Sequence, residues 1–484
     1  MVFSSYPFLL LFLPLVLAFF ALQVQGQISS ALLMRGLVVA SLVFYAAWNW
    51  HYLPLLLGSV SINYALGRRL STSHRRSWLV LGIVFNLGLL GWFKYRLFIA
   101  ETLHGLLVPE WAAPSLQVVL PLGISFFTFQ QIAWLVDLWR RQVALPQFTE
   151  YVFFVTFFPQ LIAGPIVHSR ELLPQVRDNW PAWRVSTFAA GLALMCLGLA
   201  KKVLIADPLD APVGELYALA GGGAPIAGET PWLAGFGFGV QLYFDFSGYA
   251  DMAIGLGLML GLRLPINFAS PYKSRSPIDF WRRWHITLSH FLRDYLYIPL
   301  GGRERRYLSL MLTMLLGGLW HGAGWQFLLW GGLHGVALCL AHGWSRRVGW
   351  RWPSWLAVPL TLCFVMLAWI PFRADSIDTA MSLILALNEP WQWFPWLQWP
   401  HQGWPITGPH ARLASLIMLG MGIALLLPNS QQWVARWRAA MEHDNPLLAR
   451  RALRWVGVLC GVLLFMVLKQ LYAQPEQAFL YFEF

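Results

Sequence analysis

Charged residues are scarce in this chain: Asp, Glu, Lys and Arg fill 12% of its 484 positions, about half the usual share of a water-soluble domain. A solvated globular surface is thereby excluded. Acids are rarer than bases, 22 against 34, yet the net charge of +12 sits in loops between apolar runs. That pattern fits a positive-inside bias better than a nucleic-acid-binding face. Only four cysteines occur, Cys196, Cys339, Cys363 and Cys460, all inside apolar segments rather than at paired spacings. They exclude a disulfide framework or a thiolate metal site and read as small core residues. No Lys or Arg precedes the apolar run 8–21, and Arg35 is the first positive charge. The basic region of a secretory signal is missing, so the run reads as a retained first helix. Neither a fixed-period repeat nor a low-complexity tract occurs.

What the chain has is hydrocarbon: 58% of its residues are hydrophobic and its mean hydropathy is +0.55. An all-α, polytopic membrane protein follows. Runs able to cross about 30 Å of lipid lie near 7–25, 31–48, 52–67, 78–93, 118–136, 185–206, 232–260, 354–371, 412–428 and 455–471. Basic clusters at Arg68, Arg69, Arg75 and Arg76, at Arg346, Arg347 and Arg351, and over 436–454 should be cytoplasmic. The stretch 207–231 has acids but no Lys or Arg and should lie outside.

Two apolar runs disobey this alternation, because each has basic residues on both sides. The run 151–167 contains Pro159 and the pair Gly164-Pro165, so it is expected to enter and leave on one side as a re-entrant wall that includes Gln160. In the other, Leu319-Trp320-His321-Gly322-Ala323-Gly324 interrupts a segment that would otherwise read as a span. A helix over 308–320 reaches only about 20 Å, which places the turn, and a half-buried His321, within the membrane. An ionisable group there is costly and usually faces a cavity, a partner or a substrate path. The indole-rich stretch 390–400 reads as an interfacial aromatic belt.

Upstream of that turn, residues 263–306 carry nine Lys or Arg against three acids, a net of +6, and are too polar to span. Ser276-Pro277-Ile278-Asp279 is a helix start, with a cap residue, proline at the first position and an acid three residues after the cap. Phe280, Trp281, Trp284, Leu288, Phe291, Leu292 and Tyr295 share one arc of the expected amphipathic helix, with His285 at its edge. Arg282, Arg283 and Arg293 lie opposite. Such a helix docks its aromatic face on the membrane and offers cations to phosphates or anionic lipid. Asp245 and Asp251, six residues apart on an apolar helix, face different ways. Each is expected to anchor a neighbour, such as a histidine, an arginine or the Lys201-Lys202 pair.

These segments resemble the membrane-bound O-acyltransferases, in the branch that includes the bacterial alginate O-acetylases. The pieces that carry the resemblance are Pro121-Leu122-Gly123-Ile124-Ser125-Phe126, the run 158–165, Tyr243 to Asp251, Asp279-Phe280-Trp281-Arg282-Arg283-Trp284-His285, Leu319-Trp320-His321-Gly322 and Phe372-Arg373-Ala374. The resemblance implies one membrane domain over 1–484: N-terminal helices (1–115), a catalytic core (116–345) and C-terminal helices (346–484). Its ring of about ten spanning helices, with re-entrant and short helices, would surround a central tunnel. It assigns catalysis to His321 and places His285 in the site region. It also implies a bacterial inner membrane, an exported polysaccharide acceptor and a periplasmic partner of the SGNH-esterase type, with teichoic acid D-alanylation as a sister activity.

An unperturbed histidine titrates close to working pH, so His321 suits removal of a proton from an acceptor hydroxyl attacking an acyl thioester. Acetyl-CoA is expected as donor substrate, with no bound cofactor and no metal. Its phosphates would sit near Arg282, Arg283, Lys273 and Arg275, and Trp320, Asp245 and Gln160 complete the substrate-binding candidates. Two rivals stay open: a transporter or channel using Asp245, Asp251, Lys201 and His321, although no inverted pair of broken segments is visible, and an acyltransferase whose acceptor is a lipid or teichoic acid. Lipid, acyl donor, partner protein and polysaccharide are the expected partners; nucleic acid is not.

Overall fold

The structure, a computed structural model, describes residues 1–107, 119–177, 180–223, 226, 229–349, 352–387, 409–473 and 477–480. Helices dominate and no strand occurs among the described residues. The all-α, polytopic expectation holds. The indole-rich stretch 390–400 lies outside the described residues.

Six helical stretches there are long and apolar enough to cross a membrane, or seven if the bent pair His410–Leu426 and Ser430–Met441 counts as one span. The expected number was nearer ten, and the difference has local causes. The first helix, Phe8–Val24, is shorter than a full span, and the expected span at 118–136 becomes the 16-residue helix Ile124–Trp139. Thr230–Met259 has the length, at 30 residues, but dilutes its apolar character with Asp245 and Asp251. Within the stretch Ser30–Ser73, Asn49 takes an extended conformation (φ −160°, ψ 105°) that separates two helices of about 30 Å each, as the two expected spans require. Trp325–Arg347, read from sequence as the return arm of a hairpin, is itself long enough to span.

The chain forms two compact units. The first holds Met1–Leu197, Tyr249–Ile266 and Val434–Val462. Its apolar interior is pinned by amides. Asn63 and Asn86 exchange side-chain hydrogen bonds, the Gln131 amide donates to Ser59 Oγ at 3.0 Å, and the Tyr151 hydroxyl donates to Gln131 Oε1. Each satisfies polar groups that lipid cannot. Phe148–Thr156, at nine residues, is too short to span, and Phe157 breaks it from a single turn at Phe158–Leu161. The interruption expected at Pro159 is therefore present. Gly123 meets this wall with φ +70°, and a Cβ there would lie 2.7 Å from the Leu161 carbonyl oxygen. Only glycine combines that backbone with that approach.

The second unit holds Gly198–Gly248, Asn267–Trp433 and Leu463–Phe484. It contains the basic segment from Asn267 on, the hairpin of His321, and the helices Ser354–Arg373 and Ile377–Ala386. The single amphipathic helix expected after Ser276 is not formed. The start is as expected, with Ser276 Oγ accepting from the Asp279 N–H at 3.1 Å, but the helix ends at Trp281. A second helix runs Ile286–Leu292 and passes into a wider turn at Arg293–Tyr297. The redirecting residue is His285, with φ 41° and ψ 56°. Of the cysteines, Cys196 and Cys460 are buried, whereas Cys339 and Cys363 are half-buried.

Candidate active site

His321 ends the helix Arg306–His321, whose 16 residues rise about 24 Å. Gly322 and Gly324 are extended, and the chain returns as Trp325–Arg347. The two arms touch backbone to backbone. A Cβ on Gly318 would overlap the Phe327 carbonyl oxygen, and one on Gly331 the Met314 carbonyl oxygen, so this hairpin closes only with glycine at both contacts. Closure presses the His321 ring among aromatic edges. Ring centroids lie 4.9 Å away at Trp320, 5.1 Å at Trp330 and 5.2 Å at Phe372. The imidazole is buried rather than half-buried, although 5% of His321 stays accessible against 1% for His285. His321 is the more reachable of the two.

His285 owes its placement to Asn267. The Asn267 side-chain oxygen accepts from the Thr287 backbone N–H at 3.2 Å and the Thr287 hydroxyl at 2.9 Å, and lies 3.1 Å from His285 Nδ1. A backbone N–H only donates, so the atom facing it is the amide oxygen, and His285 Nδ1 must carry the proton. The basic nitrogen is then Nε2. Burial pushes the His285 imidazole down to about 3, so it is neutral at any working pH. Its ring meets Phe246 edge-on at 4.8 Å. Left-handed backbone at a histidine costs on the order of 1–3 kcal/mol and marks a position held by its surroundings.

Beside Phe246, Asp245 does what the sequence suggested for it, pairing with Lys202 at 2.8 Å, while Lys202 also reaches Asp207 at 2.7 Å. Asp210 accepts from the Gln241 amide at 2.8 Å, and these five side chains line a cavity of about 110 Å³. Residues 477–480 close it. The Lys202 ammonium donates to the Ala478 carbonyl, the Leu480 N–H donates to Asp245, and Phe479 packs on Phe246 at 5.9 Å. Asp245 is thus occupied as an anchor, which argues against its place among the substrate-binding candidates.

The other candidates separate. Arg275 and Arg282 are exposed. Arg283 pairs with Asp279 at 2.9 Å, and the Lys273 ammonium donates to the Leu427 carbonyl at 2.7 Å. Trp320 is buried against His321. Gln160 belongs to the first unit, where its amide donates to the Phe154 carbonyl at 2.6 Å. A third imidazole, His334, was missed from sequence. It is fully buried, 4.9 Å from the Trp330 ring that also contacts His321, and its Nδ1 lies 3.3 Å from the Trp281 indole nitrogen. A lone histidine in an apolar helix reads as core, and its partner is 53 residues away.

Comparison with known proteins covers this whole constellation. The family model of the membrane-bound O-acyltransferases matches residues 125–361, a range that holds all three histidines. The peptidoglycan O-acetyltransferase of Helicobacter pylori is 41% identical over 424 residues, 79% of each chain. The probable alginate O-acetylase AlgI of Pseudomonas putida is 35% identical over 503 residues, 100% of both chains. The teichoic acid D-alanyltransferase of Bacillus subtilis is more distant, 28% identical over 296 residues, which is 56% of this chain and 72% of that one.

Proposed function

The chain belongs to the membrane-bound O-acyltransferase family, and from that premise we propose that it moves an acetyl group from cytoplasmic acetyl-CoA toward O-acetylation of an exported polysaccharide. That it is a multi-pass membrane acyltransferase is given by its family and its helices; donor, side and acceptor are the proposal. The observation that carries the reading is His321 itself, a buried imidazole at the closed end of a hairpin, walled by aromatic rings.

In this reading His321 removes the proton of an acceptor hydroxyl as the oxygen attacks the thioester carbon. The carbon–sulfur bond breaks, the acyl–oxygen bond forms, and the proton passes to the departing thiolate. His285, neutral and with Nε2 as its basic nitrogen, accepts a hydrogen bond from the substrate. Arg275 and Arg282, exposed and cationic, are where the donor's phosphates dock. The acceptor hydroxyl belongs to a serine on a periplasmic esterase-like partner or to the polymer itself, and the setting is a bacterial inner membrane. Relatives named for peptidoglycan and alginate acetylation support this over a lipid acceptor.

The test is His321→Ala in intact cells, with expression checked and the O-acetyl content of the surface polysaccharide measured. Acetylation should fall by about 10²-fold or more. Unchanged acetylation at normal expression would remove His321 from catalysis. In proteoliposomes, label from acetyl-CoA should be consumed from one face only and appear in polymer or partner protein rather than in extracted lipid.

A further inference from the structure

His334 belongs to no motif singled out from sequence, yet it touches both halves of the candidate site. Trp330 and His334 are four residues apart on the helix Trp325–Arg347 and so share a face. The Trp330 ring lies between the two imidazoles, 5.1 Å from His321 and 4.9 Å from His334. His334 also meets the helix Pro277–Trp281, with the Phe280 ring parallel to it at 6.1 Å and the Trp281 ring edge-on at 5.3 Å, and the Trp281 ring touches Trp330 directly at 5.8 Å. Trp281 stands four residues before His285.

A polar contact joins the ring packing at this junction. An indole N–H only donates, so His334 Nδ1 accepts from Trp281 Nε1 at 3.3 Å and the proton of the neutral ring sits on Nε2. Nε2 meets no hydrogen-bond acceptor among the described residues. The tautomer is therefore set by Trp281. Losing the acceptor would leave a part-buried indole N–H unsatisfied at the base of the segment that presents His285.

We propose that His334 is a positioning residue for acyl transfer: by accepting the Trp281 N–H it locks the short helix before His285 onto the hairpin that carries His321. The inference rests on the acyl-transfer reading of those two histidines. Only the Nδ1 side of the ring is used. Asparagine can place its oxygen near that position, whereas the glutamine amide reaches the Nε2 position instead.

The experiment compares His334→Phe, His334→Asn, His334→Gln, Trp281→Phe and the Trp281→Phe/His334→Phe double variant in proteoliposomes. We expect His334→Phe and Trp281→Phe each to lower kcat roughly tenfold or more, the effect of misplacing a reacting group by a fraction of an ångström, while the donor KM moves by less than about threefold. The double variant should be no worse than either single one. His334→Asn should recover most of the rate and His334→Gln should not. A near wild-type kcat in His334→Phe, additive losses in the double variant, or rescue by Gln in place of Asn overturns the proposal.

Should His334→Phe fail to fold, ¹⁵N-histidine spectra of the wild-type protein and Trp281→Phe decide instead. His334 should carry its proton on Nε2 in the wild-type protein and lose that preference in Trp281→Phe; a proton on Nδ1 in the wild type refutes the anchor. His321→Ala assayed alongside keeps the two questions apart. Full activity there defeats the acyl-transfer reading, while the tautomer still judges the contact.

Discussion

The side-chain oxygen of Asn267 sets the protonation of His285: it accepts from Thr287 twice and lies 3.1 Å from His285 Nδ1, which must therefore hold the proton. Three donors converge on one buried atom. Asn267→Leu removes their common acceptor and should cost about 3 kcal/mol of stability, read as a lower midpoint of thermal unfolding in detergent, with acyl transfer lost in parallel. Asn267→Asp keeps the acceptor and should fold. Equal stability of the Leu variant and the wild-type protein would show that the three bonds do not matter.

His285 also predicts a pH dependence. Its imidazole titrates near 6.5 in the unfolded chain and near 3 in the folded one, because burial disfavours the charged ring. The unfolded state therefore binds the proton first. Stability is fully present above about pH 6.5 and falls as pH drops toward 3, by about 2 kcal/mol between 6.5 and 5. Unfolding midpoints at pH 7.5 and pH 5 should draw apart more in the wild-type protein than in His285→Asn, whose asparagine tolerates the left-handed backbone. Parallel pH slopes would contradict the assignment.

Lys202 bonds to both Asp207 and Asp245 within this apolar surrounding. Lys202→Met leaves two carboxylates without their partner and should destabilise the protein by about 3–5 kcal/mol. Adding Asp245→Asn to the same chain should restore part of that loss. If Lys202→Met alone unfolds within a degree of the wild-type midpoint, the pair is not an anchor.

How much of this was visible in the sequence differs from residue to residue. The turn at His321 was legible because polar and glycine residues interrupt apolar runs on both sides, and lipid gives such a break few explanations. The helix start at Ser276 was legible from its capping chemistry, and the anchoring role of Asp245 from the need to neutralise a buried carboxylate, with Lys202 one of several partners left open. The break at His285 was not. Its aromatic neighbours keep helical spacing through the kink, so periodicity continues where the backbone turns away. Nor was His334, whose meaning comes from Trp281, a contact formed only when the hairpin folds back on the basic segment.

The strap at 477–480 has a consequence for how the protein is made. During synthesis those residues emerge after every other described part of the chain. Lys202 and Asp245 must therefore wait, already threaded into lipid, for the Ala478 carbonyl and the Leu480 amide to reach them. Helix insertion and completion of this wall are then separate events, and a nascent chain halted before residue 477 would hold Lys202 and Asp245 together with the wall behind His285 unfinished.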